Sequence, residues 1–242
     1  MVEARDQASG LRQLLRPTRV RVLPVAAGMR GTGKTSIVLE LARAATEAGR
    51  RVVILDHTRG EVATALSLTW RRELADLLEG THEYADVALA APGGTTVIPA
   101  ARGLSRLIEE GEDGTRLFGG FAHLSEPPHF VLLNLPTKDG SGCTLVPAEA
   151  ETLLVARPTP PSITATYARI KDMVRRHGRR RFRLLVNRAD ARTAEGLHAK
   201  VAEVARRFLD ADVAYAGAIP AGALDARPFL SLLDQWPLAE FS

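Results

Sequence analysis

The chain of 242 residues is 45% hydrophobic, long enough for one sizeable α/β core and too short for two generous domains. Its net charge of +4 is modest and does not by itself imply nucleic acid, which is not expected as a partner. One cysteine, Cys143, excludes a disulfide framework or cysteine cluster, the six histidines lack ligand spacing, and no apolar run reaches the roughly 18 residues of a membrane span.

Near the N-terminus, Glu3, Arg5, Asp6 and Arg12 stand where a signal peptide would be apolar, so a cytoplasmic location is expected. Residues 3–16 place Leu11, Leu14 and Leu15 at helical spacing before Pro17. A segment this short must dock on the domain or order on a partner. Residues 20–26 predict a strand, 35–48 a helix ended by Gly49, and 51–56 a strand buried on both faces, together a β-α-β unit. A short helix is predicted at 72–79, a strand or hairpin arm at 94–99, and helices at 104–110 and 116–124. Further strands are predicted at 130–135, 152–156, 181–187 and 213–219, with amphipathic helices at 161–177 and 194–209. This alternation predicts an α/β fold with a mostly parallel sheet covered by helices on both faces.

Between the first strand and first helix lies Gly28-Met29-Arg30-Gly31-Thr32-Gly33-Lys34-Thr35, a complete G-x-x-x-x-G-K-[ST] phosphate-binding loop in its required setting. Glycines let the backbone approach a phosphate, and the N–H groups and helix dipole face it. Lys34 meets the outer phosphates, and the Thr35 hydroxyl is placed to ligate Mg²⁺. Gly28, Arg30, Gly31, Thr32, Gly33, Lys34, Thr35 and Ser36 are therefore expected to hold the nucleotide phosphates.

Taken together, these pieces resemble the MinD/ParA class of P-loop NTPases (the SIMIBI class), and within it the flagellar regulators called FlhG or FleN. Residues 6–12 agree with the D-Q-A-x-x-L-R motif that opens FlhG proteins through Asp6, Gln7, Ala8, Leu11 and Arg12. Residues 158–171 are similar to that family's P-x-P-x-S-I-T-D-A-Y-A-x-I-K. Asn187 and Arg188 fall where the family places an adenine-bonding asparagine, and Ile219-Pro220 matches the next base-proximal loop. The resemblance implies ATP or ADP with Mg²⁺ as cofactors, held on the metal side by Thr35 and Asp56, and a nucleotide-dependent homodimer. It also implies a role in flagellar number or placement, at the inner membrane or cell pole. An FlhF-like GTPase would be stimulated through residues 1–17, with Gln7 assisting its water attack. Flagellar switch or C-ring proteins and a transcription regulator are the other implied partners. The expected organisation is an activator segment at 1–17, an NTPase-like domain at 18–227 and a tail at 228–242.

The chain departs from the class at its hydrolytic positions. Met29 stands at the signature lysine, and a trans cation in related NTPases is worth roughly 10³ to 10⁵ in rate. Thr58 replaces the aspartate beside the attacking water, and losing such acid–base assistance typically costs about 10² to 10⁴. Asn134 replaces the aspartate that supports Mg²⁺, unless Asp139 folds back to compensate. Nucleotide binding with weak or absent hydrolysis is the expectation. The alternatives are an active positioning ATPase with rewired residues and a scaffold that binds no nucleotide.

Two surface features complete the reading. The arginine-rich run at 175–183 is expected to be a solvated loop rather than a membrane or partner patch. In the tail, Phe229, Leu232, Leu233 and Trp236 share a helical face, but Asp234 and Glu240 are acidic and no Lys or Arg follows Arg227. Packing on the domain is therefore expected over membrane contact.

Overall fold

A computed structural model describes residues 20–147, 149–222 and 227–236; the motif at 6–12 and the tail beyond 236 lie outside the described residues. The first half contains β1 (Arg21–Ala26), α1 (Lys34–Glu47), β2 (Val52–Asp56), α2 (Glu61–Ala65), α3 (Leu74–Leu78), α4 (Tyr84–Val87), β3 (Leu89–Ala90) and β4 (Thr96–Pro99). Next come α5 (Ala101–Glu109), α6 (Thr115–Ala122), β5 (Phe130–Asn134), β6 (Thr152–Ala156) and α7 (Pro160–His177). β7 (Arg181–Asn187), α8 (Ala191–Leu209), β8 (Asp212–Ile219) and α9 (Arg227–Asp234) follow.

Among the described residues the strands form an eight-stranded sheet in the order β3-β4-β2-β5-β1-β6-β7-β8, parallel throughout except for the antiparallel edge pair β3–β4. β2, β5 and β6 are buried along their whole length, which is why they read as unbroken apolar runs. One face packs Leu23, Val25, Ile54 and Leu132 against Ile37 and Leu41 of α1. The other packs Val22, Val53, Val131 and Leu133 against Leu104 of α5, Phe118 of α6 and Ile170 of α7.

The α/β fold and parallel sheet agree with the sequence expectation, and the differences are local. The helix expected at 72–79 is shortened to α3, where Glu73 and Asp76 form a reciprocal capping box. The helix expected from 194 begins at Ala191, because Asp190 caps it by accepting from the Thr193 backbone N–H at 2.8 Å. The short elements α2, α4 and β3 carry too little periodicity to register in sequence.

The arginine-rich run is solvated as expected at Arg175, Arg176, Arg180 and Arg181, but not throughout. Arg179 is 2% exposed and donates to the backbone carbonyls of Val146 and Pro147. Arg180 donates to Leu209 O at 3.0 Å and Asp210 O at 2.9 Å, and Arg183 pairs with Glu151. Five donors on a planar fork suit arginine to pinning loop carbonyls, so this part of the run serves the fold.

Phe229, Leu232, Leu233 and Trp236 are all buried, and α9 lies against α1. The Trp236 indole donates to Val22 O at 3.2 Å, and Arg50 pairs with Asp234 at 2.5 Å. The apolar face of this helix is thus occupied by the domain. Truncating the fully buried Leu233 to Ala is expected to cost about 2–5 kcal/mol in chemical denaturation. A loss under about 0.5 kcal/mol, the ordinary range for a surface substitution, would mean that α9 is not docked.

Candidate functional site

β1 lies between β5 and β6 near the middle of the sheet, and the loop at 28–35 leaves its carboxyl end. In parallel α/β sheets this is where ligands collect. Two glycines fix the loop's shape. A Cβ on Gly28 would lie 2.2 Å from the Ala165 carbonyl, so the loop rests directly on the backbone of α7. Gly33 adopts φ 87°, and a Cβ there would lie 2.3 Å from Asn187 Nδ2. Met29, Arg30 and Gly31 face solvent, Thr32 is buried, and Ser36 is exposed in the first turn of α1.

Beneath the loop, Lys34 is 5% exposed and donates its ammonium to Asn134 Oδ1. Burial lowers its pKa from 10.5 to about 8; Glu61 and Asp56 oppose the shift, and Arg169 adds to it. The Asn134 amide donates in turn to Asp56 Oδ1 at 2.9 Å. Sheet register pairs Asp56 directly with Asn134, and Asn134 with Val25. Lys34, Asn134 and Asp56 thereby form a buried chain from the start of α1 across the ends of β5 and β2.

Asp56 is saturated. Its Oδ1 also accepts from the Thr58 backbone N–H at 3.1 Å and the Thr58 hydroxyl at 2.5 Å, and its Oδ2 accepts from Val62 N–H at 3.0 Å. The Thr58 oxygen in turn accepts from Glu61 N–H at 3.0 Å. Its proton and an acceptor site are thus committed inside the loop. Asp139 borders the same cavity as Glu61, and its oxygens accept from the Ser141 N–H at 2.9 Å and hydroxyl at 2.7 Å.

Asn187, expected to bond adenine, donates from Nδ2 to Thr32 O at 2.8 Å and so holds the loop itself. Arg188 follows it at φ 59°, and Pro220 is exposed just beyond β8. Arg30, His57, Thr58, Glu61 and Lys138 border a cavity of about 600 Å³ on one side of the loop. Met29, Arg30, Arg169 and Arg176 border another, of about 510 Å³, toward α7. Asp6, Gln7, Ala8, Leu11 and Arg12 lie outside the described residues.

These residues fit a nucleotide phosphate. A buried ammonium, bonded to a neutral amide and 3.9 Å from Glu61, sits under a loop whose Gly31 has open space around it, at the start of a 14-residue helix. For Mg²⁺ the fit depends on the nucleotide, since among the described residues no group of three or more His, Cys, Asp or Glu could hold a metal. Thr35 would contribute its hydroxyl and phosphate oxygens most of the rest. The ion, when bound, would neutralise charge on the phosphates and fix their position.

Fold and loop together define a P-loop nucleotide-binding domain of the parallel α/β kind. Residues 23–226 match the CobQ/CobB/MinD/ParA nucleotide binding domain family, and the chain belongs to that family, in the branch of the FleN and FlhG proteins. It is 39% identical over 208 residues to the antiactivator FleN of Pseudomonas aeruginosa, covering 83% of this chain and 74% of that one. Among solved structures it is similar to the septum site-determining protein MinD of Pyrococcus horikoshii, complexed with Mg-ADP, with TM-score 0.61, 19% identity, and coverage of 89% of this chain and 95% of that one. A putative plasmid partition protein of Borrelia burgdorferi bound to AMPPNP gives TM-score 0.62 at 13% identity, covering 89% and 97%. At these identities the two structures establish the fold alone.

Sequence reasoning missed Glu61, whose Oε2 accepts from the Thr35 hydroxyl at 3.2 Å and lies 3.9 Å from Lys34 Nζ. The available signal was an acidic residue directly after Gly60, where the loop that follows Asp56 ends.

Two outcomes are expected. A bound phosphate holds the Lys34 proton that the free site gives up above pH 8, so ADP affinity should be level below about pH 8 and fall above it, approaching tenfold per pH unit. Calorimetry in buffers of different ionisation enthalpy should show proton uptake at pH 8, and pH-independent affinity would contradict the placement of Lys34. Asn134→Asp removes the donor to Asp56 and sets two carboxylates together, so free-protein stability should drop by about 1–3 kcal/mol in chemical denaturation.

Proposed function

We propose that this protein is a nucleotide-binding regulator of flagellar biogenesis. It binds ATP or ADP with Mg²⁺, hydrolyses ATP weakly or not at all, and stimulates an FlhF-like GTPase through residues 1–17. The observation that carries this reading is the division within the site. The loop, Lys34 and Thr35 form an intact cradle, while Thr58 and Asn134 are committed to hydrogen bonds with Asp56.

Hydrolysis needs a group to orient water and a charge to stabilise the transferring phosphoryl group. Thr58 turns its proton to Asp56, Asn134 is neutral with both ends engaged, and Met29 at the loop's outer edge carries no charge. Each loss removes part of the electrostatic contribution, and none impairs the cradle. Kinship with an antiactivator supports a regulatory role exerted through partners, among them a transcription activator or flagellar switch proteins. The solvent-facing Met29 and Arg30, beside the cavity toward α7, suit a surface that meets a second copy when nucleotide is bound. The bound state then acts as a structural signal in the cytoplasm or at the cell pole.

The test adds the purified full chain to an FlhF-like GTPase in the presence of ATP. GTP hydrolysis should accelerate, and Gln7→Ala should remove most of that gain while leaving nucleotide binding intact. An unchanged GTPase rate with the wild-type chain would reject the activator role. Calorimetric titration should show ATP and ADP binding that Lys34→Ala abolishes, and no binding by wild type would favour a scaffold without nucleotide.

A further inference from the structure

We propose that Glu61 supplies the carboxylate that positions Mg²⁺ beside the Thr35 hydroxyl. The inference rests on nucleotide binding by the loop at 28–35. A hard divalent cation at a phosphate site takes oxygen ligands and favours anionic ones. Asp56 accepts from the Thr58 N–H at 3.1 Å, the Thr58 hydroxyl at 2.5 Å, the Asn134 amide at 2.9 Å and the Val62 N–H at 3.0 Å. Asn134 is uncharged, its oxygen taken by Lys34 and its nitrogen by Asp56. Asp139 is turned to Ser141.

Glu61 is the carboxylate in contact with the Thr35 hydroxyl. Its Oε2 accepts from Thr35 Oγ1 at 3.2 Å, and among the described residues its Oε1 accepts no hydrogen bond. The side chain is 38% exposed and borders the cavity of about 600 Å³ beside the loop. A threonine hydroxyl and a carboxylate oxygen in contact form one corner of an oxygen shell, which the nucleotide phosphates and water complete.

The neighbouring network explains how Glu61 is held there. Its backbone N–H donates to Thr58 Oγ1 at 3.0 Å, and the Thr58 hydroxyl donates to Asp56 at 2.5 Å. Asp56 also anchors Val62, the next residue, at 3.0 Å. Thr58, which departs from the family's catalytic pattern, and Asp56 together thus fix the start of α2, and with it the carboxylate. Glu61 is a positioning residue for the ion and takes no chemical step.

The same contacts with Lys34 and Thr35 would arise if Glu61 stood in for a phosphate, and the experiment separates the two. ATP and ADP are titrated calorimetrically into full-length wild type, Glu61→Gln and Glu61→Asp, each with Mg²⁺ and with EDTA. Wild type should bind ATP more tightly with Mg²⁺. Glu61→Gln should reduce that enhancement by about 10-fold or more while leaving EDTA affinity within a few-fold, and Glu61→Asp should restore part of it. Undiminished enhancement in Glu61→Gln overturns the proposal. Equal tightening of that variant in Mg²⁺ and in EDTA overturns it too, in favour of a phosphate stand-in. If wild type binds no nucleotide, the reading of the loop itself fails, and this proposal with it. Wild-type protein carrying carboxyl-13C glutamate, loaded with Mn²⁺ and ADP, gives a second readout that needs no variant to fold. A 13C hyperfine coupling is expected, and its absence counts against Glu61.

Discussion

A buried ammonium, a neutral amide and a buried carboxylate in series hold this site together. Lys34 donates a hydrogen bond to Asn134 Oδ1, and the Asn134 amide nitrogen donates one to Asp56. Removing an ammonium from water is costly without a partner, and a direct Lys–Asp pair would commit both charges to each other. The amide can accept at one end and donate at the other. An aspartate at 134 would face Asp56, and an apolar residue would strand Lys34. The strand register sets Asn134 beside Asp56, and the loop after β1 brings Lys34 to them, so the arrangement follows from the parallel sheet as much as from the side chains.

That chain governs what the site can do. Lys34 is held at the loop with its pKa lowered to about 8 by burial, ready to regain charge stabilisation from an anion. The groups that would act on water are drawn into the protein's own hydrogen bonding, and Thr58 serves the loop through Asp56 and Glu61. On the proposed reading, the chain has kept nucleotide recognition and turned its catalytic positions into scaffolding. The docked α9 fits the same picture, since its apolar face is spent on α1 and the domain.

Much of this was legible in the sequence where one residue type permits one structure. The glycines and Lys34 of the loop, the apolar runs of β2 and β5, and the stripe of Phe229, Leu232, Leu233 and Trp236 each state their role through spacing alone. Contacts between distant segments were not legible. Arg179 reads as one more surface charge until residues 146 and 147 are folded over it. The sequence places Asn187 at the adenine side but does not show the bond from its amide to Thr32 O. Glu61 lies far from Thr35 in the chain, and only the closing of the loop after β2 onto α1 brings its carboxylate to the hydroxyl.

Phosphate release from saturating Mg²⁺-ATP by the purified full chain, compared with Lys34→Ala under the same conditions, measures the division between binding and hydrolysis most directly. The wild-type rate is expected to be indistinguishable from that of Lys34→Ala. Sustained turnover by wild type that disappears in Lys34→Ala would contradict it, and would mean that the site hydrolyses ATP with Thr58 and Asn134 in place of the carboxylates.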